Sequence, residues 1–241
     1  PGTVEAIVAG EHADPFSVLG LHPVGSIWVV RAFIPHAETL TALDRNGKPL
    51  GTLDRLHDAG FFEGKVNIKE RCPIRLHAKN AGGEWDVWDP YSFGPVLGPR
   101  DDYYIKEGSH LRLFDKRGAH AMTFEEVEGT HFAVWAPNAR RVSVVGQFND
   151  WDGRRNPMRC RFDTGIWEVF IPAVGPGTIY KYEIVGPDGT LLPLTADPFA
   201  QRSELRPRPA SIVTDPKPHA WTAPPYRDTP STPHSPRDPL S

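Results

Sequence analysis

The sequence predicts an all-β fold: two tandem immunoglobulin-like β-sandwiches, one short N-terminal helix and a disordered Pro-rich tail. Three observations predict it. Apolar residues alternate or run over strand lengths, turn residues punctuate the chain roughly every ten residues, and the pattern of the first half recurs in the second.

The recurrence carries the most weight. Trp28–Ala37 is an alternating apolar run ended by Pro35-His36-Ala37, and Thr130–Ala139 is another, ended by Pro137-Asn138-Ala139. The two prolines stand 102 residues apart. Gly60-Phe61-Phe62-Glu63 returns as Gly165-Ile166-Trp167-Glu168 at an offset of 105, and Asp89-Pro90-Tyr91 returns as Asp197-Pro198-Phe199 at 108. Three landmarks in one order with a slowly drifting offset imply two homologous units of roughly 100 residues. The first is placed at residues 1–117, the second at 118–214, and the tail at 215–241.

Each element has a local reason. Val4–Ala9 is the one predicted helix, with Thr3 as its cap and Gly10 as its stop. Val142–Gly146, Ile166–Ile171 and Ile179–Val185 are strands, rich in β-branched and aromatic residues. Trp167, between Ile166 and Glu168, is expected in the core. Asn46-Gly47 and Asp188-Gly189 supply the positive-φ dipeptides of hairpin turns. Gly94–Glu128 connects the units, with amphipathic stretches near Tyr103–Ile105 and His110–Phe114. Residues 215–241 contain eight prolines and hardly any large apolar side chains, too little to offset the entropy of ordering.

Composition excludes several classes of function. The charge is −3 with both signs mixed along the chain, so no nucleic-acid partner is expected. The longest apolar runs, such as Ile27–Val30, are strand-sized, so no membrane partner is expected either. Cys72 and Cys160 read as reduced thiols of a cytoplasmic protein. The ten histidines show no metal-ligand spacing, so neither a metal nor any cofactor is expected. The start at Pro1, without Met or signal-like layout, suggests a fragment.

Trp151 is the leading candidate for a binding residue. It lies in the polar turn Gly146–Asp152, just after a strand, flanked by Asn149, Asp150 and Asp152. A flat indole matches the C–H face of a pyranose, and neighbouring amides and carboxylates can take its hydroxyls. A Trp folded back to cap the end of the sandwich fits the pattern equally well. Lys181 alternates with Tyr180 and Tyr182, so it faces away from both in a regular strand, as a plain surface lysine also would. No catalytic residue is expected. Glu125-Glu126 and Asp101-Asp102 are adjacent carboxylates of the kind that mark solvated surface, whereas glycoside chemistry needs two facing each other across a cleft.

Ala13-Asp-Pro-Phe-Ser-Val-Leu-Gly-Leu-His22, Asp89-Pro-Tyr-Ser-Phe-Gly-Pro95 and Glu107-Gly-Ser-His-Leu-Arg112 resemble the N-terminal region of bacterial 1,4-α-glucan (glycogen) branching enzymes. Phe132–Met158 resembles the family-48 carbohydrate-binding module of those enzymes. The resemblance covers about residues 3–215. It implies two sandwich modules ahead of a catalytic (β/α)8 barrel on which they pack, and a family activity that moves α-1,4-glucan segments to α-1,6 branch points. A barrel takes typically ~250 residues, so this chain is expected to be non-catalytic, at most a weak binder of glycogen or maltooligosaccharide. The change to Pro-rich sequence after Thr222 suggests a frameshift or broken gene end. The resemblance assigns sugar contact to Trp151 and Lys181, with Asn149 beside them, and puts Leu191 where dedicated glycogen binders carry a second Trp. A freestanding α-glucan-binding or regulatory module is the alternative. An immunoglobulin-like adhesion protein is disfavoured by the absence of a signal segment and a disulfide pair. The first unit is expected to support rather than bind, because Pro35–Asn46 has no counterpart of Trp151.

Overall fold

The computed structural model describes residues 2–99, 117–161, 164–204 and 210–215. Asp101-Asp102, the Glu107–Arg112 motif and the Pro-rich tail from residue 216 onward lie outside them.

Helix α1 (Gly2–Ala9) starts earlier than predicted, so Thr3 sits inside it rather than capping it. Gly10 ends it as expected, at φ +70° with its N–H donating to the Ile7 carbonyl. The buried face of α1 is Ile7, which packs with Leu19, Phe33 and Phe61 against one end of the first sandwich.

The first sandwich comprises β1 (Gly20–Val24), β2 (Ile27–Phe33), β3 (Thr39–Leu43), β4 (Pro49–His57), β5 (Phe61–Val66), β6 (Arg75–Asn80) and β7 (Gly83–Trp88). They form one antiparallel sheet in the order β1-β2-β5-β4-β3-β6-β7. The sheet folds on itself at β4, which pairs with β3 through Leu53 and with β5 from Asp54 onward. Val30 and Phe62 of one half thereby meet Leu40, Leu76 and Ala78 of the other in a dry core. The Asn46-Gly47 turn joins β3 to β4, with Gly47 at φ +84°.

The second sandwich comprises β8 (Gly118–Phe124), β9 (Val127–Trp135), β10 (Arg141–Gly146), β11 (Arg159–Arg161), β12 (Ile166–Pro172), β13 (Ile179–Val185) and β14 (Ser211–Ile212). A four-stranded sheet, β11-β12-β9-β8, faces a three-stranded sheet, β10-β13-β14. Phe132, Val144, Met158, Tyr180 and Tyr182 fill the space between, and Trp167 is buried with them as predicted. Its indole N–H donates to the Ala136 carbonyl at 3.0 Å. Both cysteines are free thiols.

The duplication is visible at the level of single hydrogen bonds. Ile34 N–H donates to Gly60 O at 2.8 Å in the first sandwich, and Ala136 N–H donates to Gly165 O at 2.9 Å in the second. Both glycines have positive φ, and a side chain at Gly60 would collide with the Ile34 carbonyl it must approach. Asp89 Oδ1 accepts from Tyr91 N–H just as Asp197 Oδ1 accepts from Phe199 N–H. The copies differ at the other oxygen. Asp197 Oδ2 accepts from the hydroxyls of Tyr180 and Tyr182, whereas Asp89 Oδ2 is buried with no partner.

The two sandwiches are strapped together. Residues 93–99 leave the first and lie on the outer face of the second. Phe93 packs on Phe170 and Trp88, and Leu97 on Ala133 and Ile166. Leu97 N–H donates to the carboxylate of buried Glu168 at 3.1 Å, which also holds His131 at 2.9 Å. The Glu125-Glu126 pair forms the positive-φ turn between β8 and β9 and reaches back to the first sandwich; Glu126 is solvated as expected, whereas Glu125 is partly covered. Glu125 pairs with Arg71 and Glu126 with Arg45. Adjacent carboxylates on a tight turn diverge, so each can meet a different cation.

Burial pushes the Asp89 carboxyl up to about 7, only partly opposed by the Tyr91 N–H. The folded chain therefore holds this proton more tightly than the unfolded one. Stability from this group is full at low pH, is lost as pH rises from about 4 to about 7, and is flat above that. Asp89→Asn should remove a loss of about 2–3 kcal/mol between pH 5 and pH 8. Urea unfolding of both proteins at the two pH values measures it, and an equal change in both contradicts the assignment.

Candidate functional site

The site forms on the outer face of the three-stranded sheet. Side chains alternate across β13, so Tyr180 and Tyr182 enter the core while Lys181 and Glu183 face outward. Register places Val145 opposite Lys181 and Ser143 opposite Glu183. Arg141, Ser143, Val145 and Glu183 therefore share the outer face, yet the first three are buried. A roof covers them.

The roof is the loop from Gly146 to Met158. Its far end returns as a short strand on the edge of β10, with Val144 N–H donating to Asn156 O and Met158 N–H to Val142 O. Its middle passes over a largely covered ion pair between Arg141 and Glu183. Arg141 also donates to the Gly153 carbonyl at 3.3 Å. A Cβ at Gly153 would run into the Glu183 carboxylate, so either the ion pair or the loop would have to shift. Gly10, at the end of α1, closes on the same arginine from the other side, where a Cβ would stand 2.5 Å from its guanidinium. Arg154 stacks over Phe33 of the first sandwich at 5.6 Å while holding Asp152 at 2.8 Å. Burial opposes ionisation of Asp152, but the bonds from Arg154 outweigh it and hold its carboxyl below the usual range.

Trp151 occupies the crest of this loop and is 38% exposed. It and Asp150 both have left-handed backbones, at φ +59° and +55°. For a bulky residue this is an uncommon conformation costing on the order of 1–3 kcal/mol, and it persists only where the surroundings enforce it. The enforcement comes from Trp151 N–H donating to Gly146 O at 2.9 Å, from Arg155 holding Asp150 at 2.7 Å, and from Asn149.

Asn149, expected beside the sugar, is 1% exposed, and its amide is spent inside the loop. Its Oδ1 accepts from Gly146 N–H at 3.0 Å, and its Nδ2 donates to Val144 O at 2.8 Å and Asn156 Oδ1 at 2.9 Å. It shapes the loop rather than facing a ligand. A short amide inside a turn satisfies backbone groups that the turn itself leaves bare. Trp151 and Lys181 do come to one end of the sheet. The backbone of Trp151 is tied to Gly146, which pairs with Tyr180, next to Lys181. Leu191, at the position where the resemblance implies a second aromatic in dedicated binders, bridges to Val185 at the other end of β13 and is 59% exposed. Arg141, Glu183 and Gly153 escaped sequence reasoning, because β10 and β13 are not consecutive and their register is not readable from the chain.

Comparison with known proteins bears on this geometry. Residues 1–91 match the family model of the alpha-1,4-glucan branching enzyme GlgB N-terminal domain, and residues 116–200 match carbohydrate-binding module 48, the isoamylase N-terminal domain. The 1,4-alpha-glucan branching enzyme GlgB of Mesorhizobium japonicum is 67% identical over 218 residues, 90% of this chain and 30% of the relative. The chain belongs to the GlgB family, over that family's N-terminal part. GlgB of Rhizobium meliloti is 64% identical over the same shares. GlgB of Novosphingobium aromaticivorans is 52% identical over 238 residues, 99% of this chain and 33% of the relative, so that match runs through the Pro-rich stretch. This GlgB chain thus spans about a third of the length of the curated relatives it matches. The Trp151 loop and β13 both fall inside the module-48 match. Among the described residues no helix is long and apolar enough to cross a membrane.

The roof makes two variants informative. Asn149→Ala leaves three buried polar groups without partners and should cost about 2–4 kcal/mol in thermal or urea unfolding. Gly153→Ala should lift the loop off Glu183 and raise protease cleavage near Trp151, while the first sandwich stays protected.

Proposed function

We propose that this GlgB N-terminal region is an α-glucan-contacting part of a branching enzyme, with Trp151 as its stacking platform and Lys181 as its polar partner. The observation that carries the reading is Trp151 itself. A part-exposed indole is held in a strained conformation at the crest of a loop in which the Asn149 amide and the Asp150 carboxylate are engaged in holding it there. Strain at an exposed aromatic points to a ligand-facing role, since a merely structural Trp would relax into the core. The module-48 match supports carbohydrate as the ligand class, and glycogen or maltooligosaccharide is the specific partner we assign.

Exposed Leu191 offers an apolar contact along the same sheet but not a second stacking face. One platform and a few hydroxyl contacts correspond to high-micromolar to millimolar affinity, roughly 4–6 kcal/mol. In this reading the chain supplies no catalytic group. Transfer of α-1,4 segments to α-1,6 branches belongs to the longer protein, placed in the cytoplasm, against whose catalytic barrel these sandwiches pack. Trp135 is our candidate for that contact: it is 53% exposed at the end of β9 and backed by the Arg117 guanidinium at 5.9 Å. The 1–117, 118–214 and 215–241 division remains our assignment of the units.

Native-gel migration through embedded glycogen tests the platform. Wild type should be retarded, Trp151→Ala should not, and Lys181→Ala should lose about 3–10-fold in apparent affinity, close to 1 kcal/mol. Equal retardation of wild type and Trp151→Ala refutes the assignment.

A further inference from the structure

A cavity of about 250 Å3 lies at the junction of the two sandwiches, separate from the outer sheet face that carries Lys181. Its walls come from both: Phe33, Trp88 and Asp89 from the first, and Phe148, Arg155 and Val174 from the second. We propose that this cavity is a binding site for one neutral pyranose ring, either a free monosaccharide or the terminal unit of a glucan chain.

Size limits the occupant. Pockets for drug-sized ligands span ~300–1,000 Å3, so this one suits a single small ring. Its surface is mixed rather than greasy, so a dry void is not the alternative; a cluster of waters is. Charge selects the class of ligand. Asp86 also lines the cavity, but its carboxylate is taken by Arg75 at 2.8 Å and by His77. Arg155 is taken by Asp150. An organic cation would meet the Arg155 guanidinium, and an organic anion would meet the Asp86 carboxylate. A neutral polyol meets neither penalty.

The polar groups left over are those a hydroxyl ring uses. Asp89 is 2% exposed and its Oδ2 makes no hydrogen bond. Asn156 gives its Oδ1 to Asn149, and among the described residues its amide nitrogen makes no hydrogen bond. One unpartnered carboxyl oxygen, able to donate when protonated and to accept when ionised, and one spare amide donor sit among aromatic walls that suit C–H faces. In the second sandwich the equivalent carboxylate is fully used by Tyr180 and Tyr182, so the spare oxygen of Asp89 is not a requirement of the motif. The perturbed carboxyl of Asp89 in a cleft is consistent with a site. Phe148, Arg155 and Asn156 belong to the loop that carries Trp151, so an occupant would touch that loop from beneath.

The proposal does not rest on the glucan reading, and calorimetry on the intact chain separates the two. D-glucose is titrated, with sorbitol at equal concentration as the control for osmolyte stabilisation. Saturable millimolar binding is expected for glucose, unchanged in Trp151→Ala. Ala173→Trp, built from an exposed position on the rim, plugs the cavity, and Asp89→Asn exchanges the unpartnered carboxyl oxygen for an amide nitrogen; each should weaken binding ~10-fold or more. Urea unfolding confirms that both variants are folded. Maltotetraose binding that is lost in Ala173→Trp identifies a chain end as occupant, and glucose binding alone identifies a free monosaccharide; both uphold the site. Heats that match sorbitol mean that the cavity holds water only and overturn it. Glucose binding lost in Trp151→Ala also overturns it, by moving the sugar to the outer sheet face. Failure of glycogen retardation with intact glucose binding removes the platform and leaves the cavity site standing.

Discussion

The ion pair between Arg141 and Glu183 is the constraint around which the site is arranged. Two opposite charges on neighbouring strands lie under a loop, on a sheet face that would otherwise be open to water. Taking such a pair out of water is costly unless its remaining donors are satisfied, and the Gly153 carbonyl takes one of them. The loop is therefore part of the solvation of the pair. In return the pair sets the height at which the loop crosses the sheet, and so where Trp151 emerges. The contact of Gly10 with the same arginine ties the end of α1 into this arrangement. The sugar-facing element we assign to the second sandwich is thereby propped by the first few residues of the chain.

Within the loop, conformational cost is concentrated at two adjacent residues and balanced by hydrogen bonds made three to seven residues away. Asn149 bridges Gly146, Val144 and Asn156, so the strain at Asp150 and Trp151 cannot relax without opening all three contacts. Pre-organisation of this kind reduces the entropy lost when a ligand lands on a single aromatic face.

The periodic elements were legible because their signals are local. Alternation over Ile179–Val185 fixes which side chains enter the core once the strand is granted, and Tyr180, Lys181 and Tyr182 lie on the faces that parity assigns. The duplicated turns were legible because Pro35 and Pro137 end strands in the same way. What sequence could not supply was pairing between distant strands. Asn149 read as a ligand-facing amide because its neighbours are polar, but polarity in a tight turn is as often consumed by the turn. The ion pairs of Glu125 and Glu126 were not legible either, since their cations lie 54 and 81 residues earlier.

The strap of residues 93–99 bears on how such a chain evolves. The strands and their turns recur, yet the outer surface of the second sandwich is finished by residues that precede it, with Leu97 set on Ala133 and Ile166 and anchored to Glu168. The unit that repeats is thus smaller than the unit that folds. A second sandwich excised at its first strand would leave with one face uncovered, and a first sandwich cut before Phe93 would leave behind the strap its neighbour needs. Recombination between such genes therefore has little freedom to separate the pair, and the two sandwiches are expected to be inherited together.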